Sequence, residues 1–272
     1  MKKTIISCVL FLTAVTAFSQ TPMKTAAEAK LSASDLAVKI ADRILATTTY
    51  EFKNTKTGKT YKSVKNLPLD MNVKVACKYN NWHYTNGVTH IALMELADKT
   101  GAKKYDDYVL KNMNFVFNEG NLDFFKKQYE QAMKNEGWYG VRKLSWHMIF
   151  RGKRLDDNGP MGASLIDLQI KHPNNSFLNY INETAEHLNY GEPRLADGTI
   201  ARIWPHENTI WADDAFMAIS FLARMAKMTG DMSYINDAAN QVIKYHKYLW
   251  CPEKRILYHC YHTDTDLSLI HI

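Results

Sequence analysis

The sequence has 272 residues, 46% of them hydrophobic and 23% charged, with a formal net charge of +6. That is one domain's worth of residues with ample apolar content for a core. The charge is mild and not gathered into a Lys/Arg-rich block or basic helix, which argues against a nucleic-acid partner and permits an acidic substrate without demanding one.

The chain opens with Lys2 and Lys3, an apolar stretch from Ile5 to Phe18 and the step Ala17-Phe18-Ser19-Gln20. This is the pattern of a secretory signal peptide cut near Ser19. Residues 1–19 are therefore expected to be a signal peptide and 20–32 an N-terminal linker, with the product periplasmic or secreted. The stretch is too short for a membrane span, and nothing later approaches one. Cys8 lies within it, without a lipoprotein-type cysteine at the cleavage point. Loss of Lys2 and Lys3 leaves a charge of about +4. The remaining Cys77, Cys251 and Cys260 do not make a disulfide framework. Cys251 and Cys260 could bridge a short hairpin or stay as free buried thiols. No Cys/His spacing resembles a zinc site, so neither a metal nor an organic cofactor is expected.

From residue 33 onward the apolar periodicity is helical almost throughout. It predicts helices near 33–49, 82–100, 103–117, 157–171, 177–190, 212–228 and 233–250. Between them lie polar breaks such as Lys171-His172-Pro173-Asn174-Asn175 and Gly191-Glu192-Pro193. Strand-like alternation is confined to short pieces, for example Thr199 to Trp204, and the segment 119–155 resists assignment. A weak repeat organises the helices: Leu96 to Tyr105, with Thr100-Gly101, recurs as Met225 to Tyr234, with Thr229-Gly230. Each copy is an apolar helix, a tight turn and an aromatic that starts a more polar helix. That is an αα-hairpin with a buried inner helix and an amphipathic outer one. Stacked in a ring, such hairpins form an α/α toroid whose inner-helix starts surround one cavity; a plain helical solenoid is the simpler alternative.

Three inner-helix starts carry the chemistry. Asn81-Trp82-His83-Tyr84 through Gly87 opens the first, Arg154-Leu155-Asp156-Asp157 through Gly162 the second, and Trp211-Ala212-Asp213-Asp214 the third. Aromatic platforms beside carboxylates suit carbohydrate, because rings stack on sugar C–H faces while carboxylates hold hydroxyls and move protons. His206 adds a polar group shortly before Asp213. Partial desolvation at the mouth of a buried helix favours the protonated acid, which equips one of the Asp213-Asp214 pair for proton transfer. Either acid could instead be a plain helix cap.

On these residues the chain resembles the unsaturated rhamnogalacturonyl hydrolases, glycoside hydrolase family 105, related to the unsaturated glucuronyl hydrolases of family 88. The carriers are Trp82-His83-Tyr84 with Gly87, Leu155-Asp156-Asp157 through Met161-Gly162, and Trp211 through Met217, in that order over most of the chain from about residue 33. The resemblance implies an all-α fold, an (α/α)6 barrel or six-hairpin toroid. It also implies removal of a 4,5-unsaturated uronic acid from the non-reducing end of lyase-generated pectin oligosaccharides, by hydration of the enol ether. By position, Asp213 matches the general acid/base and Asp157 the second essential aspartate, with Asp156 the choice after a one-residue shift. Trp211, His206, His83, Tyr84 and Trp82 match substrate contacts, although Trp82 could equally be core; Arg154 could meet the uronate carboxylate or lie at the surface.

Such a barrel needs twelve helices, and about seven are predicted. The family's later segment with Trp and Arg substrate residues has no counterpart, and Leu267 to Ile272 reads as a non-native tail. The expectation is therefore a barrel domain over 33–266, truncated at its C-terminus, with a tail at 267–272. Three alternatives stay open: a glucuronyl hydrolase acting on glycosaminoglycan or ulvan fragments, a histidine-centred sugar epimerase on the same barrel, and a non-catalytic glycan-binding relative. The partner in the first reading is an unsaturated oligosaccharide, and the sequence leaves the oligomeric state open.

Overall fold

Helical periodicity from residue 33 onward is realised in a computed structural model that describes residues 32–152, 154–265 and 267–269. The expected signal peptide, the linker up to residue 31 and residues 270–272 of the expected tail lie outside the described residues. The chain divides into two units, Met1–Ile40 and Ala41–Ile272. In the first, Ser32 caps the start of helix α1 (Ala33–Thr47): its hydroxyl accepts the Asp35 backbone N–H at 3.1 Å and donates to the Asp35 carboxylate at 2.7 Å.

The second unit is built on three helical hairpins: α2 (Tyr84–Thr100) with α3 (Lys104–Val116), α6 (Leu155–Lys171) with α7 (Asn175–Glu186), and α8 (Ala212–Thr229) with α9 (Met232–Leu249). The repeat seen in sequence is physical. Gly101 and Gly230 end α2 and α8 in the left-handed conformation, with φ of 71° and 75°, and their N–H groups bond back to Ala97 and Ala226. Asn174 and Asp231 cap α7 and α9 by accepting the backbone N–H two residues on.

The inner helices lie side by side, with α6 packed on both α2 and α8. α6 is buried over most of its length, as its run of Met161, Ala163, Leu165, Ile166 and Leu168 requires. Glycine sets the spacing. A Cβ on Gly87 of α2 would stand 2.3 Å from the Pro160 carbonyl carbon, and one on Gly159 of α6 would stand 2.6 Å from the Met217 carbonyl oxygen of α8. The Asp-Asn-Gly-Pro-Met-Gly run is thus a contact surface that brings the second and third helix mouths together.

The segment 119–155, opaque in sequence, is helix α4 (Glu119–Val141), the short helix α5 (Met148–Arg151) and connecting turns. α4 is broken at Gly137, whose φ of 58° and ψ of −149° belong to a region essentially restricted to glycine. Its several glycines and asparagines mask the period. Strands are short: β1 (Phe52–Asn54), β2 (Thr60–Tyr61) and β3 (Val73–Val75) form one antiparallel sheet in the order β2-β1-β3. Phe52 sits at its buried face among Phe115, Phe124 and Phe125. β4 (Thr209–Trp211) runs up to α8 and pairs antiparallel with β7 (Cys260–His262), Trp211 opposite Cys260. A hairpin of β5 (Trp250–Cys251) and β6 (Ile256–Leu257) follows α9. Residues 267–269 of the expected tail pair with β7 as β8 (Leu267–Leu269).

One local expectation differs, and the two readings of Cys251 and Cys260 are resolved in favour of free thiols. The stretch 199–204 forms isolated bridges, Arg194 with Ile200 and Arg202 with Thr209, in place of a strand. Cys251 and Cys260 are free and buried, on strands of different sheets. Among the described residues no helix is long and apolar enough to cross a membrane.

Candidate active site

The mouths of α6 and α8 face one another across Arg202. Its guanidinium meets three carboxylates: Asp214 through two hydrogen bonds of 2.6 and 2.7 Å, Asp213 at 3.4 Å and Asp156 at 3.7 Å. Arg202 is held from behind by its bridge to Thr209 and stacks on Trp211, 4.7 Å from the ring centroid. Asp214 is 2% exposed, and burial pushes its carboxyl up to about 7; Arg202 opposes this, while Asp213 and Asp156 add to it. One cation shared by three anions cannot fully compensate any of them.

Asp213 is the more open member of its pair, with its side chain 42% exposed. Neither it nor Asp214 supplies the cap, since the α8 N-cap is Trp211 without a side-chain cap bond. Asp213 Oδ2 touches Arg202, whereas Oδ1 is buried and has no hydrogen-bond partner among the described residues. A buried, unpaired carboxylate oxygen is costly to keep, and it is open to a proton or a ligand hydroxyl. Ligand atoms of Asp156, Asp213 and Asp214 lie within 4.8 Å of one another, a spacing that a divalent cation could use. The Arg202 guanidinium already supplies the positive charge there, so the donor set fits an arginine-bridged acid cluster better than a metal centre.

Two cavities open beside the cluster. One of about 290 Å³ is lined by Asp156, Asp214, Arg202, His187 and Glu192, and another of about 600 Å³ by His83, Tyr84, Trp138, His147, Arg142 and Arg151. Arg154, Asp156 and Trp204 line both. Arg154 stacks on Trp204 at 4.4 Å and forms no ion pair among the described residues. Burial and the neighbouring Arg151 and Arg202 hold the Arg154 guanidinium below its usual value, although Asp157 and Asp156 pull the other way. In the smaller cavity His187 Nε2 meets the Glu192 carboxylate at 2.9 Å, on a π-helical turn (His187–Gly191) that continues α7.

Several residues singled out in the sequence meet here: Asp213, Asp156, His83 and Tyr84. His83 caps α2 by accepting the Thr85 N–H, packs on Tyr84 with ring centroids 4.5 Å apart, and is kept below the usual imidazole value by burial. Trp211 is partly exposed, with Arg202 over its ring. Three assignments need correction. Trp82 is fully buried, donates its indole N–H to the Asp157 carbonyl at 2.8 Å and packs on Phe117, Trp146 and Tyr180; it is core, out of reach of a ligand. Asp157 is fully buried in a bidentate ion pair with Arg151, so it does not reach the cavity, which its neighbour Asp156 lines. His206 is exposed and packs against His262, 5.4 Å between centroids, away from both cavities. Sequence reasoning missed Arg202, Arg151, Trp204, Trp138 and His147. The one available signal was Arg202 itself, a lone cation among Ile200, Ala201, Ile203 and Trp204.

The comparisons with known proteins agree with this architecture. The family model described as Glycosyl Hydrolase Family 88 matches residues 56–268. No curated protein sequence matches the chain. Among solved structures, a possible member of the GH105 family from Salmonella enterica serovar Paratyphi A aligns with TM-score 0.55 at 15% identity, covering 92% of this chain and 57% of that one. A glycoside hydrolase from family 105 of C. acetobutylicum aligns with TM-score 0.51 at 21% identity, over 75% of this chain and 50% of that one. The GH76A α-1,6-mannanase of Salegentibacter sp., in an inactive variant, gives 0.52 at 13%, over 87% and 57%. At these identities the likeness is one of fold: the all-α hairpin architecture of the (α/α)6-barrel glycoside hydrolases. The chain spans less than two thirds of the length of each of these structures.

Proposed function

The chain belongs to Glycosyl Hydrolase Family 88, and from that premise we propose that it carries the site of a glycosidase that removes a 4,5-unsaturated uronic acid from the non-reducing end of an oligosaccharide. Lyase-generated rhamnogalacturonan fragments are the substrates in this reading, and an exported location, periplasmic or secreted, suits them. The supporting observation is Asp213: a partly exposed carboxylate at an inner-helix mouth, with one oxygen unpaired among the described residues and two further acids bridged by the same arginine.

In this mechanism the Asp213 carboxylic acid gives its proton to C4 of the enol ether. Positive charge develops at C5 and on the ring oxygen, beside the acid cluster. A water molecule adds its oxygen to C5 and returns a proton to Asp213. The resulting hemiketal opens by breaking the bond from C5 to the ring oxygen, which leaves a ketone at C5. The hemiacetal now at C1 expels the hydroxyl of the next sugar. Arg154, stacked on Trp204 and in no ion pair among the described residues, receives the uronate carboxylate. Asp156 lines the same space and accepts sugar hydroxyls. Arg202 holds the acids in register and limits their mutual repulsion.

Asp213→Asn tests this directly. An amide cannot donate and recover the proton, so the fall in ultraviolet absorbance of the conjugated uronate should be lost by a factor of about 10²–10⁴, with the circular dichroism spectrum unchanged. Turnover at the original rate would remove Asp213 from the mechanism.

A further inference from the structure

The cavity of about 600 Å³ holds more positive charge than one uronate carboxylate requires. Three guanidiniums line it, Arg142, Arg151 and Arg154, against one carboxylate, Asp156, while His83 and His147, lowered by burial, add ring nitrogens rather than charge. Arg154 lies on the border with the smaller cavity, whereas Arg142 and Arg151 lie beyond it. Arg151 is fixed on two sides. The buried Asp157 takes it through Nε and Nη2, and its guanidinium carbon stands 5.1 Å from the centroid of the Trp138 ring. Two of its nitrogens are thus spent on Asp157, while Nη1 is unused by any ion pair or hydrogen bond among the described residues. Arg142 is exposed and forms no ion pair among the described residues. The positive field reaches the neighbours: burial first, then Arg151, His83 and Arg142, lower the His147 imidazole against the opposing bond to the Leu144 carbonyl.

A planar guanidinium locked in place by a buried carboxylate and an aromatic ring is a preorganised receptor for a planar or tetrahedral oxyanion. We propose that this cavity is a subsite for a second anionic group of the oligosaccharide, gripped by Arg151 with help from Arg142, while Asp157 acts as the positioning residue that aims Arg151. The group is either the carboxylate of a later uronate or a sulfate ester on the leaving sugar. This deepens the hydrolase reading above and rests on it for the identity of the first anion.

The test compares three ligands: an unsaturated uronate linked to a neutral sugar, the same unit extended by a second uronate, and the same unit with a sulfate ester on the neutral sugar. Binding is measured by calorimetry on Asp213→Asn protein, which should hold the ligands without consuming them, and kcat/KM is measured on the unaltered chain. At least one of the two doubly anionic ligands should bind about tenfold tighter than the neutral-sugar ligand, and the better of them identifies the source of the anion. In Asp213→Asn protein that also carries Arg151→Gln, the ratio should fall towards one. Arg151→Gln leaves Asp157 buried without its partner, so Arg142→Gln, at an exposed position, serves as the second variant and should shrink the ratio severalfold without loss of fold. Adding Asp157→Asn should reduce the ratio like Arg151→Gln, while Arg151→Lys should recover only part of it. If binding shows the ratio but no ligand is turned over by the unaltered chain, the subsite stands and the hydrolase reading falls. Equal binding of all three ligands, no measurable binding of any, or a ratio that survives both arginine substitutions would overturn the subsite, whatever the turnover.

Discussion

Asp214→Asn decides whether burial or Arg202 controls the acid cluster. The two effects oppose one another: a carboxylate 2% exposed is pushed towards its neutral form, and a bidentate guanidinium pulls it towards the anion. Burial prevails in this geometry, because Arg202 is shared with Asp213 and Asp156, and the Asp214 carboxyl stands at about 7 against a reference of 3.8. Between those values the folded chain holds a proton that the unfolded chain has released, so Asp214 makes stability fall as pH rises from about 4 to about 7. A gap of about 3 pH units at ~1.36 kcal/mol each sets a ceiling on the order of 4 kcal/mol. His90 works the other way. Burial lowers its imidazole to about 4, so its contribution is lost as pH falls below the ordinary imidazole value. The raw pH profile therefore mixes signs, and the useful quantity is the difference between the unaltered chain and Asp214→Asn, which keeps the shape and one acceptor for Arg202. Urea unfolding at half-unit steps from pH 4 to pH 7.5 should give a difference that declines by one to a few kcal/mol. A flat difference over this window would refute the reasoning, since a guanidinium that outweighs burial keeps Asp214 ionised throughout and moves its titration below pH 4.

Two further substitutions probe the frame that carries the site. His90 is 2% exposed with both ring nitrogens unpaired among the described residues, so His90→Leu should raise stability by about 1–3 kcal/mol and remove its share of the acid-side loss in the same urea experiment. Gly159→Ala would press a methyl group to 2.6 Å from the Met217 carbonyl oxygen, where only a shift of α8 can relieve it. A loss of about 1–3 kcal/mol is expected by thermal or urea unfolding, and an unchanged midpoint would show that the α6–α8 spacing is looser than the structure implies.

Much of the hairpin frame was legible because its signals are local. The Thr-Gly turns at Gly101 and Gly230 and the apolar periods of α2, α6 and α8 depend on neighbours within a few residues. Asp213, Asp156, His83 and Tyr84 came out beside the cavities or the acid cluster because all stand within two residues of an inner-helix start, which the hairpin pattern marks. Arg202 and Arg151 were not legible, since nothing in a single arginine says which acid it will meet. Arg202 lies 12 residues from Asp214 on an irregular loop, and Arg151 belongs to a segment whose helices are interrupted by glycine. Trp82 misled for the opposite reason. It sits at a helix mouth like Trp211, but its indole N–H finds the Asp157 carbonyl inside the core. A tryptophan in sequence carries no mark of which side of a helix start it will take.

The two Asp-Asp pairs share one arrangement, a more open first acid and a buried second one. Consecutive residues in a helix are about 100° apart around the axis. At an inner-helix mouth, that rotation leaves one acid the more open and turns the next towards the core. In α6 the outward acid is Asp156 and the inward one Asp157; in α8 they are Asp213 and Asp214. Each inward acid is at most 2% exposed and grips an arginine through two hydrogen bonds, Arg151 for Asp157 and Arg202 for Asp214. In both, burial raises the carboxyl against the pull of its arginine. The inward acids therefore place cations at the cavity wall, and in the proposed mechanism the more open acids are the ones that meet hydroxyls and protons. A doubled aspartate at a helix mouth thus supplies two different instruments from one dipeptide. It also follows that replacing Asp157 should disturb anion binding through Arg151, whereas replacing Asp156 should disturb contacts to hydroxyls, a division that a role shared by both acids would not produce.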